Sequence, residues 1–301
     1  MKKFCAAVFA FALSCAAAFG AVIDVMIVFD AHAQGYAQKR HGGSLEAYAT
    51  EIIEEANLFY ANSGVNIELN CVRAVAWDYT STGDGETDLN NVTNSAEIRS
   101  LRASCKADMV SFITTASSWG NLGGIAWLGR AQNAGIDLMY SAVNRTTGSR
   151  TTFVHELGHN MGLTHSPDQT TQAGGDGLYP YSCGYHFTGA SGKKYHTIMA
   201  YNFDGKGNTY SPTSMFSDPE KIFDGVPMGT AEKHNSTLSL NQRRLYMARL
   251  NGEIAAAPRV IENPMNAKIK NLESPASFTV EVERELGASY KWQKRLSAND
   301  E

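Results

Sequence analysis

The sequence predicts an α/β (α+β) fold, a sheet with flanking helices followed by a mostly irregular stretch that closes the domain. Three observations carry this. Val22-Ile23-Asp24-Val25-Met26-Ile27-Val28-Phe29 is β-rich and almost wholly apolar, which suits a buried strand. From Ser44 onward Leu45, Tyr48, Ile52, Ala56 and Phe59 recur at helical spacing, with Ala49, Ile53 and Tyr60 widening the stripe. Val65, Ile67, Leu69 and Cys71 then alternate and mark a second strand reaching Trp77.

The elements follow in order. Ser44 caps the first helix and Gly64 stops it. A polar, Gly-rich loop is expected from Thr80 to Asn91, then a short helix from Ser95 to Ala103. Strands are expected at Met109–Ile113, Gly124–Leu128 and Ile136–Tyr140, and a helix from Ser149 to Met161. Thr164 to Asp224 is rich in Gly, Ser, Tyr and Pro with little periodicity, and a stretch that long inside one domain is usually functional. A last helix is expected over Ala231–Leu250. Composition shifts at Ala255-Ala256-Ala257-Pro258, which ends a domain over 21–255. In the remaining 256–301, Ser277–Val282 and Ser289–Trp292 read as strands around a turn at Gly287, in a piece too short to bury its own core. With Tyr290-Lys291-Trp292-Gln293 it resembles the opening strands of an immunoglobulin-like module; a disordered tail is the alternative.

Residues 1–20 read as a secretory signal. Lys2-Lys3 precede an apolar run from Phe4 to Ala12, and small residues lead to Ala18-Phe19-Gly20. The run is too short to span a bilayer, and no second one follows, so an exported chain without a membrane span is expected. Cys15 after Leu13-Ser14 offers a looser lipid-anchor reading. The chain has 301 residues and 26 Lys+Arg against 30 Asp+Glu, a formal charge of −4 that loses two further positive charges with the leader. That excludes a basic nucleic-acid footprint and a polybasic membrane anchor. At 43% hydrophobic and 19% charged residues the composition is globular, and a monomer is expected. Beyond the leader three cysteines remain, Cys71, Cys105 and Cys183; export permits a disulfide, and the first, in an apparent strand, and the second, just before another, are the pair expected.

The decisive stretch is His155-Glu156-Leu157-Gly158-His159-Asn160-Met161-Gly162-Leu163-Thr164-His165. Helical residues four apart share a face, so His155 and His159 can present both imidazoles to one ion, with Glu156 beside them free to hold a water. Gly162 can adopt positive φ, turning the chain so that His165 returns as a third nitrogen ligand. Three neutral histidines with an open position form the pattern of a catalytic zinc site. Farther on, Thr197-Ile198-Met199-Ala200-Tyr201 places a methionine to pack under the histidines.

On these residues the chain resembles the metzincin zinc endopeptidases, whose signature is HExxHxxGxxH followed by a Met-containing turn. The likeness is strongest to the reprolysin-like branch, including bacterial peptidyl-Asp metalloendopeptidases. Ile23-Asp24-Val25-Met26, Ala107-Asp108-Met109-Val110, Gly124-Ile125-Ala126-Trp127, Thr152-Phe153-Val154, Phe216-Ser217-Asp218-Pro219 and Gly225-Val226-Pro227-Met228-Gly229 extend it over about 22–250. Two departures stand out. Ser166 follows the third histidine where many reprolysin-like enzymes have Asp, and a strand begins so soon after the leader that no pro-domain latency is expected.

The resemblance implies a mixed, twisted five-stranded sheet, one catalytic Zn2+ on His155, His159 and His165, and Glu156 as general base. It also implies supporting roles for Gly162 and Met199, and a polypeptide substrate. Tyr201 is the candidate oxyanion donor, since a Tyr so placed serves that role in related astacin- and serralysin-like enzymes. Gly124, Ile125 and Ala126 form the expected edge for a docked peptide strand, the glycine permitting close approach. His186, Lys193, Lys194 and His196 are candidates for favouring an acidic side chain, with solvated loop residues as the bland alternative. Asp84-Gly85-Glu86-Thr87-Asp88 offers oxygens to Ca2+ without the order of an EF-hand loop, so calcium lacks support. His32, His41 and His234 lack ligand spacing and read as surface residues. A catalytically weak zinc-containing binding or adhesion module is the rival, against which the intact Glu156 argues.

Overall fold

β1 (Ala21–Phe29) is buried on both faces: Ile23, Val25, Ile27 and Phe29 enter one apolar cluster, Met26 and Val28 the other. The computed structural model describes residues 20–251, 259–262 and 281–283. After β1 comes α1 (Ala31–Arg40), which lacks an apolar stripe and buries only Ala33 and Ala37. Its signal is the cap: Asp30, fully buried, accepts from Ala33 N at 2.8 Å, and also from Ser81 N and Thr114 Oγ1. α2 (Leu45–Ser63) starts on the Ser44 cap and ends at Gly64, whose φ of 73° is the left-handed turn that favours glycine. β2 (Ile67–Ala76) follows.

The expected loop from Thr80 to Asn91 is in fact half helical. α3 (Gly85–Asn94) begins where Asp84 accepts from Thr87 N at 2.7 Å, and Leu89 and Val92 enter the second cluster. Asp88 is buried and accepts from the Tyr79 hydroxyl, both donors of Thr82, Ser81 Oγ and Trp119 Nε1. Its oxygens are therefore committed to protein donors. α4 (Ala96–Cys105), capped by Ser95, leads to β3 (Met109–Thr114) and β4 (Gly124–Ala126). The strand expected at Ile136–Tyr140 lies later: Ile136–Leu138 is one turn of 3-10 helix, and β5 runs Tyr140–Asn144. Buried polar residues hide that strand from a hydropathy reading. Ser141 Oγ pairs with Ser111 Oγ at 3.0 Å, and Asn144 Nδ2 donates to Ala116 O at 3.0 Å.

The sheet order is β2-β1-β3-β5-β4, parallel throughout except that edge strand β4 runs antiparallel to β5. The fold is thus a mixed five-stranded sheet with helices. α5 (Thr152–Asn160) packs on β4 and β5. Buried Asn160 fixes its end, Nδ2 donating to Trp127 O, Leu138 O and Tyr140 O at 2.9–3.0 Å.

The stretch from Thr164 to Asp224 contains more regular structure than its composition suggests. β6 (His186–Thr188), β7 (Lys194–His196) and β8 (Ser211–Pro212) form a small sheet, and β9 (Asp218–Phe223) pairs with β10 (Val226–Met228). α6 (Ser236–Met247) begins at the Asn235 cap rather than at Ala231. β11 (Arg259–Glu262) pairs antiparallel with β12 (Glu281–Glu283), the latter overlapping the strand expected at Ser277–Val282. Residues 1–19 of the expected leader and the strand expected at Ser289–Trp292 lie outside the described residues. No helix among the described residues is long and apolar enough to cross a membrane.

The expected Cys71–Cys105 pairing is not formed; these two and Cys183 are free thiols. Cys71 packs against the first cluster and Cys105 against the second, so the two lie on opposite faces of the sheet.

Candidate metal centre

α5 presents His155 and His159 on one face, and Gly162 turns the chain at its end with φ of 92°. A Cβ there would meet Leu178 Cβ at 2.7 Å and Gly129 O at 2.8 Å, so the turn needs glycine for space as well as conformation. His165 returns to the helix, and the three Nε2 atoms form a triangle with edges of 3.1, 3.1 and 3.0 Å.

Each ring is oriented through its other nitrogen. His155 Nδ1 donates to Ile198 O at 2.7 Å, His159 Nδ1 to Leu163 O at 2.8 Å and His165 Nδ1 to Gln172 O at 2.8 Å. A carbonyl accepts only, so these contacts place the proton on Nδ1 and leave a lone pair on every Nε2. Three lone pairs facing one another cannot hydrogen-bond among themselves; a cation satisfies them. The edges approach the about 3.3–3.4 Å that Zn–N bonds of about 2.0–2.1 Å demand at tetrahedral angles. The residues therefore fit a zinc ion, and these three are the one His/Cys/Asp/Glu group of this kind among the described residues. Burial first, then mutual repulsion, holds the His155 imidazole well below its usual range, and the same causes lower His159 to about 3. Burial lowers His165 too, so all three stay neutral as ligation requires.

Around the triad the structure gathers most of the expected residues. Glu156 is buried, and burial pushes its carboxyl well above the usual carboxylate range. A Cβ at Gly124 would come within 2.6 Å of Glu156 Oε1, so the missing side chain on β4 makes room for this carboxylate. Met199 is fully buried, and its Sδ would lie 2.8 Å from a Cβ at Gly158, in the turn of α5 between the two ligands. The segment around Met199 also supplies the Ile198 carbonyl to His155. Tyr201 lies over the third ligand, its ring centroid 4.6 Å from that of His165. Gly124, Ile125 and Ala126 line a cleft of about 1210 Å³ that contains the triad, Glu156 and Tyr201.

Other expectations are revised. Of the four basic candidates only His196 lines the cleft. His186 is buried, its Nε2 donating to Tyr201 O at 2.7 Å, while Lys194 Nζ reaches Asn208 Oδ1 away from the cleft. Arg130 and Arg150 line the cleft instead, and no local motif announced either. His41 is not a free surface residue but stacks on Tyr48 at 4.9 Å, and His234 is buried beside Thr230.

Comparison with known proteins agrees with this site. The model of Metallo-peptidase family M12 (Reprolysin_5) matches residues 20–211. The chain is 28% identical over 250 residues to the peptidyl-Asp metalloendopeptidase of Pseudomonas aeruginosa, covering 75% of this chain and 40% of that protein. It is 30% identical over 219 residues to the protein of that name from Stenotrophomonas maltophilia, with coverage of 70% and 48%. For the Xanthomonas campestris protein of that name the figures are 29% over 238 residues, 77% and 51%. The chain thus spans about half the length, or less, of these relatives. A solved structure described as a chaperone-substrate complex shares the fold alone, with TM-score 0.58 and 19% identity over 77% of this chain and 35% of that one. A helix carrying two histidines, a glycine turn returning a third and a methionine beneath define a metallopeptidase. The chain belongs to metallopeptidase family M12.

Proposed function

We propose that this protein is a zinc-dependent endopeptidase that hydrolyses peptide bonds with water, and that it is exported by way of its N-terminal leader. The observation that carries the reading is the position of Glu156, buried beside three converged, neutral imidazoles in a cleft edged by an open strand. His155, His159 and His165 would hold the zinc. When bound it supplies Lewis acidity, lowering the pKa of a water towards about 7 and polarising the scissile carbonyl.

The chain's own residues do the rest. Glu156 accepts the proton of the attacking water and passes it to the leaving amine; burial raises its proton affinity towards what that shuttle needs. The outer edge of β4, at the end of the sheet order, offers its main-chain donors and acceptors to an extended peptide at Gly124, Ile125 and Ala126. The Tyr201 hydroxyl, which donates to Gln172 Oε1 in this structure, is the donor for the developing oxyanion once it turns from that amide to the substrate. The relatives' name, peptidyl-Asp metalloendopeptidase, suggests an acidic residue beside the cut, and Arg130 in the cleft supports that preference, whereas Arg150 is paired with Glu55 and burial keeps His196 neutral.

The test is cleavage of an unstructured protein by the chain lacking its leader, with mass-spectrometric mapping of the cuts. Cutting should vanish with chelator, return with zinc, and fall roughly 10²–10⁴-fold in Glu156→Gln while that variant keeps its zinc. Wild-type protein that binds one zinc and cuts nothing would overturn the reading in favour of a binding module. Cuts without acidic neighbours would remove the preference alone.

A further inference from the structure

Two of the three ligand-orienting carbonyls come from ordinary backbone, Leu163 just past α5 and Ile198 beside Met199. The third does not. Gln172, whose carbonyl accepts from His165 Nδ1 at 2.8 Å, has φ of 48°, one of four non-glycine residues with positive φ among the described residues. L side chains occupy that region at a cost, and such outliers cluster at functional sites. The Gln172 side chain is exposed, so core packing does not hold it there. It has a different partner: its Oε1 accepts from the Tyr201 hydroxyl at 2.5 Å.

The surrounding loop is built to keep this residue in place. Buried Gln169 accepts from Tyr201 N at 3.1 Å and donates to Thr171 O at 2.9 Å. Thr170 N donates to Asp204 O at 2.9 Å, and Gly174 N to Ser166 O at 3.1 Å. A Cβ at Gly174 would run into the His165 carbonyl, so the loop closes against the ligand itself.

We infer that Gln172 is a positioning residue, fixing the third histidine ligand with its strained backbone and the Tyr201 hydroxyl with its side chain. The ring of Tyr201 and the imidazole of His165 are then set by one residue of one loop, and a displacement of that loop disturbs both. The inference rests on the peptidase reading for its kinetic half only.

Two variants separate the roles. Gln172→Gly accepts the backbone conformation freely and removes the amide, whereas Gln172→Val resists positive φ. On the full-length chain, zinc affinity by competition with a chromogenic chelator should stay within about threefold of wild type for Gln172→Gly, and weaken roughly 10–100-fold for Gln172→Val. Gln172→Thr, also β-branched but smaller and polar, takes the place of Val if that variant does not fold. In peptide cleavage Gln172→Gly should lower kcat roughly 3–10-fold with KM unchanged. Tyr201→Phe should lower it at least as much, and the double variant should fall no further than Tyr201→Phe alone. Equal zinc affinities in the Gly and strained variants would overturn the backbone role. An unchanged or raised kcat in Gln172→Gly, or effects that multiply in the double variant, would overturn the side-chain role. If wild type cleaves nothing the peptidase reading fails, while the zinc measurement still decides the backbone half.

Discussion

Gly162 carries two demands at once, a φ of 92° and a space already filled by Leu178 and Gly129. Gly162→Ala should therefore cost more than the about 1–3 kcal/mol of backbone strain alone, and displace His165 as well. Urea unfolding of the metal-free variant should show the lower midpoint, and chelator competition the weaker zinc binding. Asp108 makes a prediction about pH. Burial pushes its carboxyl from 3.8 up to about 6, against the pull of backbone donors at Asp24 and Asn251. The folded chain thus holds that proton more tightly than the unfolded chain. Its stabilising contribution is complete below about pH 4 and is lost as pH rises through about 6. The stability of metal-free wild type relative to Asp108→Asn should fall over that window; a flat difference would remove Asp108 as the cause. At this scale the convergence of the three histidines with Glu156 was legible in the sequence, because helix periodicity and one glycine turn relate them over eleven consecutive residues. Gln172, Arg130 and Arg150 were not, since only the folding of separate loops brings them to the cleft.

Among the elements, α2 could be read end to end because stripe, cap and left-handed glycine all agree. α1 and α3 could not: α1 has no apolar face and is held by the buried carboxylate of Asp30, and the only apolar side chains α3 buries are Leu89 and Val92, in a polar turn-rich sequence, with Asp88 tying it to its neighbours. β5 was displaced in the reading because its serine and asparagine are satisfied by partners on neighbouring segments. The joint between α5 and the sheet rests on Asn160, one amide nitrogen serving three carbonyls. Asn160→Ala leaves Trp127 O and Leu138 O without their donor, while Tyr140 O keeps Trp127 N. It should destabilise the chain by about 2–3 kcal/mol, read as a lower urea midpoint at unchanged m-value.

For the whole molecule, no disulfide joins the described cysteines, and the two thiols expected to pair face different clusters. A phosphine reductant should leave the melting temperature unchanged, whereas a chelator should lower it and zinc restore it, because zinc bound to the folded chain adds to its stability by mass action. A drop of several degrees with reductant alone would mean that a disulfide forms in solution. The largest assembly described, the five-stranded sheet with α5 against its last strand, also sets the proposed peptide edge beside the proposed general base. Glu156 rests against backbone, not a side chain, at Gly124, on the strand whose free edge faces the cleft. A peptide seated there leans on the same stretch of main chain that backs the carboxylate. If Glu156 carries the proton as proposed, misfit along the peptide reaches that oxygen, and poor sequences should be penalised in turnover as well as in affinity.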